Sequence, residues 1–231
     1  HDEKIVGETV DSKANRVMEQ VRNEGAEAII MSSLDDIAWT TNLRTANDIS
    51  YSPMFVSYVY LCNDRRILFI DEEKLNDEVK AHLATYKFEI MPYDAVLDFV
   101  ATLPTETKIL VDPDKVSRGL FDKISCCPVF GGSKVAKLKS IKNESMLRSI
   151  DIAMEKDGVA LTRFFMMVER DHPKGELTEL ILSERLREIR LSDPSCVDES
   201  FASILGFKEH GAIIHYEATE ESNIPVVGDG L

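Results

Sequence analysis

The sequence predicts a mixed α/β fold: over residues 1–139, short runs of β-branched and aromatic residues alternate with helical stretches. After that point two long amphipathic helices follow one another without a strand between them. Composition agrees with a folded chain, since 44% of the 231 residues are hydrophobic and 29% charged, enough for a real core. At this length two ordinary domains are expected.

The elements follow in order. Asp11 to Glu24 puts Ala14, Val17, Met18 and Val21 on one helical face, and Gly25 stands where a helix would stop. Ala28-Ile29-Ile30-Met31 is apolar without alternation, as in a strand buried on both faces. Ser33 can open a short helix over Leu34 to Trp39. Met54 to Leu61 and Arg66 to Ile70 flank Asn63-Asp64 and predict antiparallel neighbours joined by a tight turn. A helix from Asp71 to Thr85, a strand at Phe88 to Met91, a helix from Asp94 to Leu103, a strand at Lys108 to Val111 and a helix near Ser117 to Ile124 continue the alternation.

Lys134, Lys137, Lys139 and Lys142 cluster in an otherwise acidic chain and place a domain boundary at 139/140. Asn143 can cap the next helix, in which Met146, Ile150, Met154, Leu161, Phe165 and Val168 recur at helical spacing. A stripe that long is an association hazard when bare, so it is expected to be covered by the first domain or by a second copy of the chain. Asp171, Pro173 and Gly175 end this helix, and Thr178 opens another that Asp193-Pro194 closes. Phe201 to Leu205 and Ala212 to Tyr216 then read as a hairpin.

Charge narrows the function. With 27 Lys+Arg against 41 Asp+Glu the net charge is -14, which argues against nucleic acid as a partner. No apolar run approaches the roughly 20 residues of a membrane helix, and there is no basic-then-apolar leader. These point to a cytoplasmic protein, unless the chain is a piece of a longer one that has lost a signal peptide. Cys62, Cys126, Cys127 and Cys196 form no CxxC pair and read as reduced, structural thiols. Gly131-Gly132-Ser133-Lys134 lacks the earlier glycine of a phosphate loop. The acidic pairs Asp35-Asp36, Asp112 with Asp114, Asp198-Glu199 and Glu220-Glu221 read as solvated surface.

The most chemical segment is His210-Gly211-Ala212-Ile213-Ile214-His215-Tyr216. On a strand an odd separation places His210 and His215 on opposite faces, so they are not expected to share a metal ion. Read from the residues alone, His215 is a buried, hydrogen-bonded histidine and His210 a surface loop residue without a role.

Several stretches carry a resemblance. Asp35-Asp36-Ile37-Ala38-Trp39-Thr40-Thr41-Asn42-Leu43-Arg44 with Ser52-Pro53-Met54-Phe55-Val56-Ser57-Tyr58, Leu68-Phe69-Ile70-Asp71, Val135 to Asn143, and Gly211-Ala212-Ile213-Ile214-His215-Tyr216 resemble the Xaa-Pro aminopeptidases in the order that family has them. The resemblance implies a mixed-sheet, creatinase N-terminal-like middle domain over 1–139. Over 140–231 it implies the start of an incomplete α+β pita-bread catalytic domain. It implies a parent that removes the residue before a second-position proline with two divalent ions, manganese by family habit. The family's metal ligands would follow the step resembled by Gly228-Asp229-Gly230-Leu231, so none is carried over and this segment alone is expected to be inactive. His215 matches a family histidine that contacts substrate and is not a metal ligand, which makes it the one catalytic and substrate-binding candidate. The implied partner is a proline-containing peptide, and a homo-oligomer is expected. Two other readings are a creatinase-like, metal-independent C–N hydrolase, and a non-catalytic pita-bread binding module whose acidity would suit basic partners.

Overall fold

A computed structural model describes residues 3–46 and 48–229. It divides into two compact units, one of residues 1–49 and 53–147 and the other of residues 50–52 and 148–231.

The first unit is built on a six-stranded mixed sheet in the order β4-β3-β2-β1-β5-β6. The strands are β1 (Ala28–Met31), β2 (Ser57–Cys62), β3 (Arg66–Ile70), β4 (Phe88–Met91), β5 (Lys108–Val111) and β6 (Cys127–Phe130). The predicted hairpin is present, β2 and β3 pairing antiparallel from Ser57↔Ile70 to Leu61↔Arg66. β1 is antiparallel to β2 and parallel to β5, and both edges, β3 with β4 and β5 with β6, are parallel. Each parallel step is bridged by a crossover containing a helix, as parallel pairing requires.

Helices cover both faces, which explains why the strands read as continuous apolar runs. On one face α2 (Val10–Asn23), α3 (Leu34–Thr41), α4 (Asp77–Thr85) and α7 (Lys134–Ser140) bury Val17, Val21, Ile37, Leu83 and Val135 against Ile29, Met31, Val59, Leu61 and Leu68. On the other, α5 (Ala95–Ala101) and α6 (Arg118–Phe121) bury Val96, Val100 and Leu120 against Ile30, Tyr60, Ile67, Phe69 and Ile109. Alternate residues of β1 thus serve different cores. The short α1 (Glu3–Val6) precedes these. Strand β6 has no counterpart in the sequence reading, because Pro128 disguises it; at the sheet edge a missing N–H is tolerated.

Helix α8 (Glu144–Asp171) starts in the first unit with Asn143 as its cap: Oδ1 accepts from Met146 N at 2.9 Å and Nδ2 donates to Val6 O at 2.9 Å. The second unit holds the rest of α8 and α9 (Glu179–Leu191), with a small core of Phe164, Leu177, Leu182, Leu186, Phe207 and Val226. On α8, Ile150, Met154 and Phe165 are exposed.

The hairpin expected at 201–205 and 212–216 is not formed. Residues 202–207 are irregular, and Lys208–Ala212 makes a 3₁₀ turn. The physical reason is local. Lys208 and His215 take left-handed backbone angles, with φ of +51° and +57°, which a strand cannot contain. Gly206 also lies so close to the turn that a Cβ there would come within 2.8 Å of Gly211 N and of the His210 carbonyl carbon. Only glycine permits that approach.

Candidate active site loop

The irregular segment from Gly206 to Tyr216 is organised by one carboxylate. Thr178 caps α9 through Ile181 N at 3.3 Å, and Asn223 Oδ1 accepts from Leu180 N at 3.2 Å, so the first turn of the helix is fixed. Glu179, the first helical residue, is 0% exposed. Its Oε1 accepts from Phe207 N at 2.6 Å, and His210 Nδ1 lies 3.0 and 3.1 Å from its two oxygens. The Tyr216 hydroxyl donates to Oε2 at 2.7 Å. The His210 and Tyr216 rings are 4.6 Å apart and tilted by 33°, while Ser222 Oγ lies 3.3 Å from the Tyr216 oxygen.

Burial alone would push the Glu179 carboxyl up, but the amide of Phe207, the hydroxyl of Tyr216 and the ring of His210 outweigh it and hold the group below its ordinary 4.5. The carboxylate is therefore ionised at neutral pH. Burial and the neighbouring carboxylate raise the Tyr216 phenol, against an opposing contribution from Ser222, so it stays a donor.

His215 is treated differently. It is exposed, not buried as its residue type alone implies, and it sits at φ +57° immediately before the anchored Tyr216. A histidine in the left-handed region is uncommon and costs of order 1 kcal/mol or more, so neighbouring residues must impose it. His210, expected to be a free surface residue, is instead tied to Glu179. The opposite-faces argument fails with the strand it assumed, and the structure brings His210, not His215, onto the carboxylate. Sequence reasoning missed Glu179 because an acidic residue in a first helical turn is the ordinary complement of the helix dipole.

Two of the supposedly solvated acids are buried. Asp36 accepts from Lys139 Nζ at 2.9 Å and from the Ser133 hydroxyl, and Glu199 pairs with Arg190 at 3.1 Å. The rest of the family-like stretch in the first unit also does structural work. Lys13 Nζ, fully buried, donates to Trp39 O at 3.0 Å and Asn42 Oδ1 at 2.6 Å and lies 4.5 Å from the Trp39 ring centroid. Arg44 donates to the Leu43 carbonyl at 2.7 Å and to the Ala38 carbonyl, satisfying the end of α3.

Among the described residues no three His, Cys, Asp or Glu side chains converge so as to hold a metal ion, and Gly230-Leu231 of the Gly-Leu step lies outside the described residues. Among the described residues no helix is long and apolar enough to cross a membrane.

Comparison with known proteins agrees with this architecture. A family model, the creatinase/prolidase N-terminal domain, matches residues 1–145. The chain is 31% identical over 232 residues to Xaa-Pro aminopeptidase 1 of Dictyostelium discoideum, covering 98% of this chain and 36% of that protein. It is 30% identical over 254 residues to aminopeptidase P2 of Arabidopsis thaliana, covering 96% and 36%. The chain thus spans about a third of the length of these curated relatives. Among solved structures, the X-prolyl aminopeptidase of Caenorhabditis elegans, described as a cytosolic enzyme with a di-nuclear active site, superposes with a TM-score of 0.91. That match has 24% identity and covers 98% of this chain and 38% of that one, so it shows the fold. Since the model matches well over half of its residues, the chain belongs to the creatinase/prolidase N-terminal domain family, and the relatives it resembles over nearly its whole length are Xaa-Pro aminopeptidases.

Proposed function

We propose that this chain is part of a metallopeptidase that removes the N-terminal residue from peptides with proline in second position. In this reading residues 1–139 form the middle domain and residues 140–231 the first part of the catalytic domain. One observation carries it beyond the family match: within Gly211 to Tyr216, His215 is exposed while Tyr216 beside it is anchored to Glu179. A strained, solvent-facing imidazole on a pinned segment is suited to meeting a ligand. An imidazole offers a ring N–H donor and a ring nitrogen acceptor, so it can hydrogen-bond the substrate beside the scissile bond and accept or return a proton there.

Two divalent ions, manganese by resemblance, belong to the longer protein in this reading. The described residues supply no ligand set for them, so the chemistry assigned to this chain is positioning and substrate contact. The reading further places the protein in the cytoplasm. It also makes the protein a homo-oligomer, in keeping with the exposed Ile150, Met154 and Phe165 of α8. Light scattering checks the last point, a strictly monomeric mass at working concentration counting against it.

The functional test is manganese-dependent hydrolysis of a short Xaa-Pro-Pro peptide by this chain and by the full-length product of its gene. Activity in the longer protein alone is the expected result. Activity in neither would overturn the assignment, and activity in this chain would overturn the placing of the metal ligands elsewhere.

A further inference from the structure

The two imidazoles of the 206–216 segment differ in a way that a shared role does not explain. His210 is engaged by a buried carboxylate and stacked on Tyr216, whereas His215 makes no hydrogen bond among the described residues. Glu179 gathers the segment at its beginning, middle and end: Phe207 N, the His210 ring and the Tyr216 hydroxyl all converge on it. His215 is the residue next to the last of these anchors, and its φ of +57° turns the chain sharply there. The carboxylate is itself immobile, held in the first turn of a thirteen-residue helix whose end is capped by Thr178 and Asn223.

The chemistry of the His210 contact fixes more than position. An ionised carboxylate only accepts hydrogen bonds, so the ring nitrogen facing it carries the proton. When His210 is neutral, this selects the Nδ1–H tautomer and leaves Nε2 as the acceptor edge. A serine-protease-like logic applies in outline, in which a buried acid sets an imidazole's tautomer and orientation; here the acid also sets the loop that carries a second imidazole.

We propose that Glu179 is a positioning residue for His215, acting through His210 held as the Nδ1–H tautomer and through Tyr216. The proposal rests on the reading of His215 as a substrate-facing residue, but it has a readout that needs no activity. Long-range ¹H–¹⁵N spectra of the histidine rings are recorded on this chain at a pH where both imidazoles are neutral. The chain is compared with its Glu179→Gln and Glu179→Ala variants. Wild type is expected to show His210 protonated at Nδ1. Glu179→Gln keeps one oxygen for the anchors but can present an amide N–H to His210, so His210 is expected to move to the Nε2–H tautomer while the fold is kept. Glu179→Ala, where it folds, is expected to broaden or shift the His215 signals as the anchors are lost. A wild-type His210 protonated at Nε2 overturns the proposal. So does a Glu179→Gln chain in which neither the His210 tautomer nor the His215 signal has changed.

In the full-length protein Glu179→Gln is expected to lower kcat by about 10- to 100-fold with little change in KM or thermal stability, the signature of a displaced group. A changed tautomer with unchanged kcat overturns the positioning role. Absence of hydrolysis by the wild-type full-length protein overturns the functional reading instead, and the ring spectra still decide whether Glu179 sets the loop.

Discussion

The first unit is ordered by apolar burial on both faces of a sheet, whereas the 206–216 loop of the second is ordered by hydrogen bonds to one carboxylate. In the first, strands such as Ile67-Leu68-Phe69 are fully buried between two layers of helices. In the second, the core is small and α8 leaves Met154, Phe165 and Met166 in solvent. Hydrophobic closure tolerates many sequences of suitable volume, but a polar centre depends on each partner being present. The two regions should therefore fail differently.

The largest effect is expected in the sheet. Phe69 is 0% exposed and packs beside Phe99 at 5.3 Å, so Phe69→Ala should cost about 3–5 kcal/mol in denaturant unfolding. Phe165→Ala, at a side chain 63% exposed on α8, should change the stability of the dissociated monomer by no more than about 0.5 kcal/mol. A loss comparable to that of Phe69→Ala in the dilute monomer would erase the contrast, whereas a loss that grows with protein concentration is the one expected of a self-associating face.

Next comes the carboxylate. Glu179→Ala strands the Phe207 amide, the Tyr216 hydroxyl and the His210 ring, and should cost about 3 kcal/mol. Both units should gain stability as pH rises, but in different windows, acidic for the carboxylate and alkaline for the buried lysine of the first unit. The folded-state pKa of Glu179 lies below its ordinary 4.5, so its contribution is present above 4.5 and disappears as pH falls through the lower, folded value. Lys13 is held down to about 8 from 10.5, mainly by burial, with Glu8 opposing and Arg44 and Arg16 reinforcing the shift. Between pH 8 and 10.5 the unfolded chain binds the extra proton at Lys13, so this residue makes the first unit more stable as pH rises. The difference in unfolding free energy between wild type and Lys13→Met isolates that slope, and a flat difference across the window would contradict it. A smaller loss than at Phe69 or Glu179 is expected at the cap: Asn143→Ala removes bonds to Met146 N and Val6 O and should cost about 1 kcal/mol by thermal denaturation.

Apolar periodicity made the first unit legible. Ala28 to Met31, the 57–70 hairpin, the 88–91 and 108–111 strands and the helices between them stand close to where the residue pattern puts them. Strand β6 was hidden because Pro128 breaks the composition of a strand without breaking an edge pairing. The 206–216 loop was not legible for a different reason. Ala212 to Tyr216 has the composition of a strand, but its conformation is set by Glu179, which is more than 30 residues earlier in the chain. Buried Asp36 and Glu199 were likewise misread, since a carboxylate looks solvated until its cation, Lys139 or Arg190, is seen beside it. The resemblance singled out His215, and no local pattern announced the residue that holds its loop.

The central claim is that His215 is presented to substrate by a loop held from outside itself. The most direct test is steady-state hydrolysis of an Xaa-Pro-Pro peptide by the full-length protein and its His215→Ala variant, with melting temperatures measured alongside. Because His215 is exposed and makes no hydrogen bond among the described residues, the melting temperature should hold while kcat falls by about 100-fold or more. An unchanged kcat in a folded variant would contradict the account.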